Sequence, residues 1–239
     1  MSAGSTSGNP AHAKLVEKQL RNWEIARSQR PTPPPVRKKE VEDFIAISRA
    51  VGAGGAAGSQ IVSVLGAKLG WPVFNKEILQ AMAADDPTLE RIYDSMDERD
   101  LSWVEESLRS LVEGSFKKND YFRRLTTTVL ALARQGPAVF RGRAVDLILP
   151  RDRGFRVRLT ASPASCIRNY AEHHEIDLGR ARTELARIET DRAEFVRHHF
   201  AIDPAEQSRH DLIINLDRFT ADQAVELILR GLKMRGMVG

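Results

Sequence analysis

The sequence predicts an α/β fold, a parallel sheet covered by helices on both faces. Three observations lead there. Short apolar runs bounded by turn residues recur along the chain, as at 44–48 and 138–140. Helical periodicity fills most of the intervals between them, and strands that alternate with helices pair in parallel. A glycine cluster, Gly52, Gly54, Gly55 and Gly58, separates the first run from the helix after it.

The elements follow in order. Residues 1–10 are small and polar, a composition too poor in apolar side chains to order itself. From residue 11 to about residue 28 the pattern is helical, with Val16, Leu20 and Trp23 at i, i+4 and i+7 among Lys and Arg. Pro31, Pro33, Pro34 and Pro35 then make a stiff extended spacer. The chain thus divides into an N-terminal helical arm with its linker, residues 1–39, and a body, residues 40–239. The arm packs either on its own domain or on a second copy, which would make a homodimer. A basic helix lying on a membrane or nucleic acid is the weaker reading.

In the body, the run at 44–48 reads as a buried strand, followed by a helix over 59–69. A short extended piece at 71–75 leads into a helix from Lys76, and residues 87–97 continue helical. Ser102 and Glu105 form a capping-box pattern that opens a helix at Trp103. The next helix, 121–134, stops at Gln135-Gly136-Pro137. Strands are expected at 138–140 and 155–161, and Pro163 opens a helix. A long polar helical region covers 177–199, residues 211–216 form another buried strand, and Thr220 with Gln223 caps the last helix.

Composition narrows the class. Among 239 residues, 36 basic side chains face 32 acidic ones, a net charge of +4. That excess suits an anionic ligand such as a nucleotide and is too small to argue for nucleic acid. A single cysteine, Cys166, rules out an intramolecular disulfide and a cysteine-rich zinc site. There is no apolar run of about 18 residues, which argues against a membrane span. The first residues lack the basic start and apolar core of a secretion signal, so a cytoplasmic location is expected.

The glycine cluster has the layout of a phosphate loop. Glycines let backbone N–H groups turn inward around an anion, and the following helix adds its positive end. The strict pattern is G-x4-G-K-[ST]. Counting back from Gly58, Ala53 stands at the first position, Ser59 at the lysine position and Gln60 at the hydroxyl position. Losing the lysine removes a charge that spans the β- and γ-phosphates, where it matters most in the transition state. Losing the Ser or Thr removes a magnesium ligand. On this reading Ser59→Lys raises any measurable transfer rate.

The loop sits among further motifs. "ISRAVGAGGAAGSQIVSVLGAKLGWPVFNKEIL" resembles the start of the bacterial cytidylate kinase-like proteins, in which "ISR" and a glycine loop precede a P-x-[FY]-[DN]-[KR]-E segment. "AVFRGRAVD" resembles the family's GR-x-x-D segment, "RIETDRAEFVRHHF" its lid helix and "DLIINL" its last strand. The resemblance spans roughly residues 40–234. It implies a P-loop nucleoside monophosphate kinase that uses ATP and Mg2+ on a (d)CMP-type acceptor. Residues 76–135 would be the helical acceptor-side insertion and 177–200 the lid.

The resemblance also implies residue roles. Gly52, Gly54, Gly55, Gly58, Ser59 and Gln60 would bind phosphate. Asn75, Lys76, Gly142, Arg143 and Asp146 would bind the acceptor. Arg143, Arg192 and Arg197 would supply catalytic charge. The acidic residue that follows the Arg in cytidylate kinases is Ala144 here, and Ser165 and Ile167 stand where the family carries Glu and Arg. Two functional readings result: an ATP-dependent nucleoside monophosphate kinase, or a degenerate kinase that binds nucleotide or a protein partner and regulates.

Other residues read more plainly. Arg151, Arg153, Arg156 and Arg158 suggest a solvated face. His173–His174 and His198–His199 are neighbours about 100° apart on helices, poor geometry for chelation. Cys166, Trp23, Trp71 and Trp103 read as packing residues.

Overall fold

The computed structural model describes residues 10–28, 41–94, 96, 98–112, 120–142 and 144–239. The polar residues 1–9, the proline spacer and Arg143 lie outside the described residues.

At the centre, β1 (Phe44–Arg49) pairs in parallel with β3 (Ala138–Arg141) and with β4 (Phe155–Thr160). The outer strands β2 (Val73–Phe74) and β5 (Leu212–Asn215) complete the parallel order β2-β3-β1-β4-β5. The apolar run of β1 is explained by its place. Phe44 and Ala46 point into one core, and Ile45 and Ile47 into the other. Both faces are covered, so no position in the run needs to be polar.

The Ile45–Ile47 face is covered by α2 (Ala57–Leu69) and α10 (Ala221–Met234), through Ile61, Leu65, Val225 and Ile228. Thr220 and Gln223 close α10 with the expected reciprocal capping box. On the other face lie α3 (Lys76–Ala84), α4 (Asp86–Asp94), α5 (Glu98–Val112) and α6 (Asp120–Gln135), with Leu79, Met82, Phe122 and Val129 buried among them.

The arm is helix α1 (Pro10–Ser28), and it lies on its own domain, the first of the two packings open to it. Val16, Leu20 and Trp23 enter the core of the α3 and α6 face. Trp23 Nε1 donates to the Leu132 carbonyl at 3.4 Å, and Gln19 Oε1 accepts the Val73 N–H at 3.0 Å. Arg91 pairs with Glu17 and Glu24 at 3.2 and 2.8 Å, exposed contacts of small energetic weight.

The structure corrects four sequence expectations. Ser102 is not a cap: α5 begins four residues earlier at Glu98, and the Ser102 hydroxyl donates back to the Glu98 carbonyl at 2.8 Å. The run at 211–216 is not a fully buried strand, because β5 is an edge strand with Ile213 exposed. A short helix, α7 (Val145–Ile148), was not expected. Arg156 is not on a solvated face. It is buried and donates to the carbonyls of Asp146, Leu149, Pro150 and Arg153, where α7 ends and the chain turns into β4.

The remaining helices are α8 (Pro163–His174), which opens on Pro163 with Ser162 as cap, and α9 (Leu178–Phe200), capped by Asp177. Cys166 is buried, as its packing role predicts.

Candidate phosphate site at the end of the central strand

β1 delivers Arg49 to the C-terminal end of the sheet, where ligands of open α/β folds gather. The chain then turns through Gly52, Gly54 and Gly55 at φ +78°, +69° and +47° before entering α2. These are left-handed conformations that glycine adopts without strain. Gly52 has a second reason: a Cβ there would overlap the Cys166 carbonyl at the start of α8. At Gly58 a Cβ would overlap the Arg49 guanidinium, so this glycine clears the path of an arginine across the loop.

The loop is a chain of tight turns. Gly55 N donates to Gly52 O at 3.2 Å, Gly58 N to Gly54 O at 3.3 Å, and Ser59 N and Gln60 N both to Ala56 O, at 3.0 and 3.2 Å. The amides of Gly52, Gly54, Ala56 and Ala57 have no partner among the described residues. Ser59 and Gln60 are exposed on the first turns of α2.

Three guanidinium groups meet at this loop. Arg49 Nη1 donates to Gly55 O at 3.1 Å. Arg141, the last residue of β3, donates from Nη1 to Ser59 Oγ at 2.8 Å. Arg192, from α9, donates to the Arg49 carbonyl at 3.3 Å. Burial, and then repulsion from Arg141 and Arg192, pushes the Arg49 guanidinium below its ordinary value. It stays charged, as arginine does in proteins. Two carboxylates stand nearby: Glu77 at 3.9 Å from Arg141, and Glu189 at 3.8 Å from Arg192. Glu189 Oε1 also accepts the Val51 N–H at 2.6 Å, and Asn169 donates to the Gly52 carbonyl at 3.0 Å. Helices α8 and α9 are thus tied to the loop.

The sequence reading missed Arg49, Arg141, Glu189 and Asn169. Arg49 and Arg141 each end a strand beside the glycine cluster, and that strand-end position was the available signal.

The other candidate residues are dispersed. Arg197 is exposed on α9, five residues from Arg192 and so on another side of the helix. Asn75 uses its side chain to cap α3, accepting the Ile78 N–H at 2.9 Å. Lys76 begins α3 beside Gly142, which sits at φ +80° between β3 and α7. Asp146 is buried, 3.6 Å from Arg209 Nε and 3.8 Å from His210 Nε2, and His210 contacts Ser48 Oγ at 3.1 Å. Its carboxylate belongs to a closed polar cluster behind the ends of β1 and β4.

The cations and amides of the loop fit nucleotide phosphates. A protein cage for magnesium does not fit: no group of three or more His, Cys, Asp or Glu is poised to hold a metal among the described residues, and the Ser59 hydroxyl already accepts from Arg141. Any Mg2+ would be held mainly by phosphate oxygens and water.

The model of the cytidylate kinase-like family matches residues 44–218, from the first residue of β1 to just past β5. The chain belongs to the cytidylate kinase-like family. Membership gives it a kinase-like function and places the loop, α9 and the α3–α6 layer within the family's span. The fold is similar to that of an uncharacterized protein from Eubacterium ventriosum, with a TM-score of 0.59 at 15% identity over 80% of this chain and 99% of that one. TT1252 from Thermus thermophilus has a TM-score of 0.41 at 17% identity, over 83% of this chain and 100% of that one. Dephospho-CoA kinase from Campylobacter jejuni has 0.37 at 12%, over 80% and 97%. No curated protein matches the chain. Among the described residues no helix is long and apolar enough to cross a membrane.

Proposed function

We propose that the chain is an ATP-dependent nucleoside monophosphate kinase with a (d)CMP-type acceptor. The observation that carries this reading is the glycine turn at the end of β1, ringed by three arginines, in a chain of a cytidylate kinase-like family. In the reaction a phosphate oxygen of the acceptor attacks the γ-phosphorus of ATP. The bond to the β–γ bridging oxygen breaks, and ADP leaves. Such transfer needs mainly positioning and charge stabilisation, which arginines and inward amides supply. Mg2+ would arrive with the nucleotide. Gly52, Gly54, Gly55, Gly58, Ser59 and Gln60 form the donor loop, with Arg192 beside it. Lys76 and Gly142 would bind the acceptor, and the resemblance assigns Arg143 to it as well. Asn75 and Asp146 act by shaping that side, since their side chains are committed to α3 and to Arg209 and His210. Arg197 is assigned to the lid as it closes.

A second reading, a degenerate kinase, is favoured by Ser59 in place of lysine and by loop amides already bonded to loop carbonyls. One experiment separates the two. The full chain is incubated with ATP, Mg2+ and CMP, dCMP, UMP or AMP, while ADP release and thermal stability are followed. ADP release that requires CMP or dCMP supports the kinase. A rise in melting temperature with ATP but no ADP release supports the degenerate reading. The absence of both responses overturns both nucleotide readings and leaves the degenerate kinase that binds a protein partner.

A further inference from the structure

The loop lacks its lysine, but the position beside it is not without charge. Ser59 follows the last glycine, where the lysine of a strict phosphate loop stands. The Arg141 guanidinium donates to the Ser59 hydroxyl at 2.8 Å and so lies over that position. It arrives there because β3 runs parallel beside β1 with Arg141 paired to Ile47, two residues before Arg49. Its side chain is mostly covered, at 16% exposure, so the guanidinium is held rather than waving in solvent.

Arg49 lies between the two other cations of the loop, and both Arg141 and Arg192 repel it. Among the described residues, Glu77 lies 3.9 Å from Arg141 and Glu189 3.8 Å from Arg192, longer than a close ion pair. Repelling cations around a turn lower their energy when an anion joins them, and a polyphosphate joins all three at once. Arginine also presents a planar fork that grips phosphate through two bonds, which lysine does not.

Resting on the phosphate-loop reading above, we infer that Arg141 takes over the missing lysine's work from a neighbouring strand, closing with Arg49 and Arg192 a clamp for the terminal phosphates of a nucleoside triphosphate. The charge belongs to the sheet, not to the loop. It follows that Ser59→Lys, which the sequence alone expects to help, adds a cation against one already present. That substitution helps only after Arg141 is removed.

The test measures ATP and AMP affinity of the full chain by calorimetry, with melting temperature as a fold control. Arg141→Gln, close in length and uncharged, is expected to weaken ATP binding about tenfold to a hundredfold, the range for losing a charged hydrogen-bonding group. AMP binding changes less than threefold by our estimate, since its one phosphate does not reach the clamp. Arg141→Lys retains part of the ATP affinity. Ser59→Lys alone gives no gain, whereas Ser59→Lys with Arg141→Gln recovers at least part of the loss. Equal ATP affinity in Arg141→Gln and the unsubstituted chain overturns the inference and leaves the loop reading standing, as does a gain from Ser59→Lys alone. Absence of ATP binding in the unsubstituted chain overturns the loop reading and this inference with it.

Discussion

Glu189 Oε1 accepts the Val51 N–H at 2.6 Å, so a carboxylate from the long helix α9 fastens the entrance of the glycine loop. The contact joins residues 138 positions apart and is only partly buried. Replacing Glu189 by Ala leaves the Val51 amide to water and frees this stretch of α9 from the loop. We expect amide exchange at Val51 to quicken by roughly tenfold, a charged-acceptor bond discounted for exposure. The melting temperature should fall by no more than about 4 °C. Hydrogen exchange resolved to peptides covering 49–56 reads this directly. Unchanged protection would mean that the bond does not hold the loop.

Gly52 and Gly70 share a positive φ, +78° and +65°, but not the same surroundings. A Cβ at Gly70 meets open space, while one at Gly52 overlaps the Cys166 carbonyl. Gly70→Ala is therefore expected to cost only the left-handed conformation, about 1 kcal/mol. Gly52→Ala adds a backbone clash and should cost about 2–4 kcal/mol. Urea denaturation of the two variants provides the comparison. Equal costs would show that α8 gives way, and that the tight seat of the loop on Cys166 is unimportant.

What the sequence revealed and what it hid divides along one physical line. Features set by neighbours in the chain were legible: the buried run of β1, the glycine turn, and the cap of α10, whose partners lie three residues apart. Ser102 marks the limit of local reading, because the same hydroxyl serves a cap or bonds back one turn, and only the upstream helix decides. Features set by sheet order were hidden. Whether the run in β5 is covered depends on its lying at the edge, which the run does not encode. Arg49 and Arg141 meet at the loop because β1 and β3 are in register. Arg156 is buried because carbonyls of the turn just before β4 fold back over its guanidinium, a shape that no apolar periodicity announces. The four-residue α7 is too short for any periodicity to show.

His210 is buried beside Asp146, Arg209 and Arg158, with Ser48 Oγ at 3.1 Å. Burial pushes its pKa below the ordinary value, and Arg209 and Arg158 push the same way, against the pull of Asp146. The folded state thus binds its proton less readily than the unfolded chain does. A group with a depressed folded pKa contributes stability that is present above the unfolded value of about 6.5 and lost as pH falls below it. His199, lowered by burial and by His198, adds in the same direction. Melting temperature should therefore decline as pH drops from about 7.5 to about 5.5. His210→Gln should flatten part of that decline. A profile equally steep in the variant would assign the pH dependence to other groups.

Trp23 carries the arm's attachment. Its ring is buried in the core shared with α3 and α6, against Gly136, and its Nε1 donates to Leu132 O across 109 residues. Truncating so large a buried side chain costs about 3–5 kcal/mol. For a chain of this size that is a fall of roughly 6–20 °C in melting temperature. Concentration dependence makes the test sharper. If α1 lies on its own domain, the loss in Trp23→Ala is the same at every protein concentration. If instead it exchanged between two copies, the melting temperature of the unsubstituted chain would climb with concentration, since association stabilises by mass action, and Trp23→Ala would abolish that climb. Scans over a hundredfold range of concentration distinguish the cases, and α1 packed on its own domain predicts that Trp23→Ala lowers the melting temperature equally throughout.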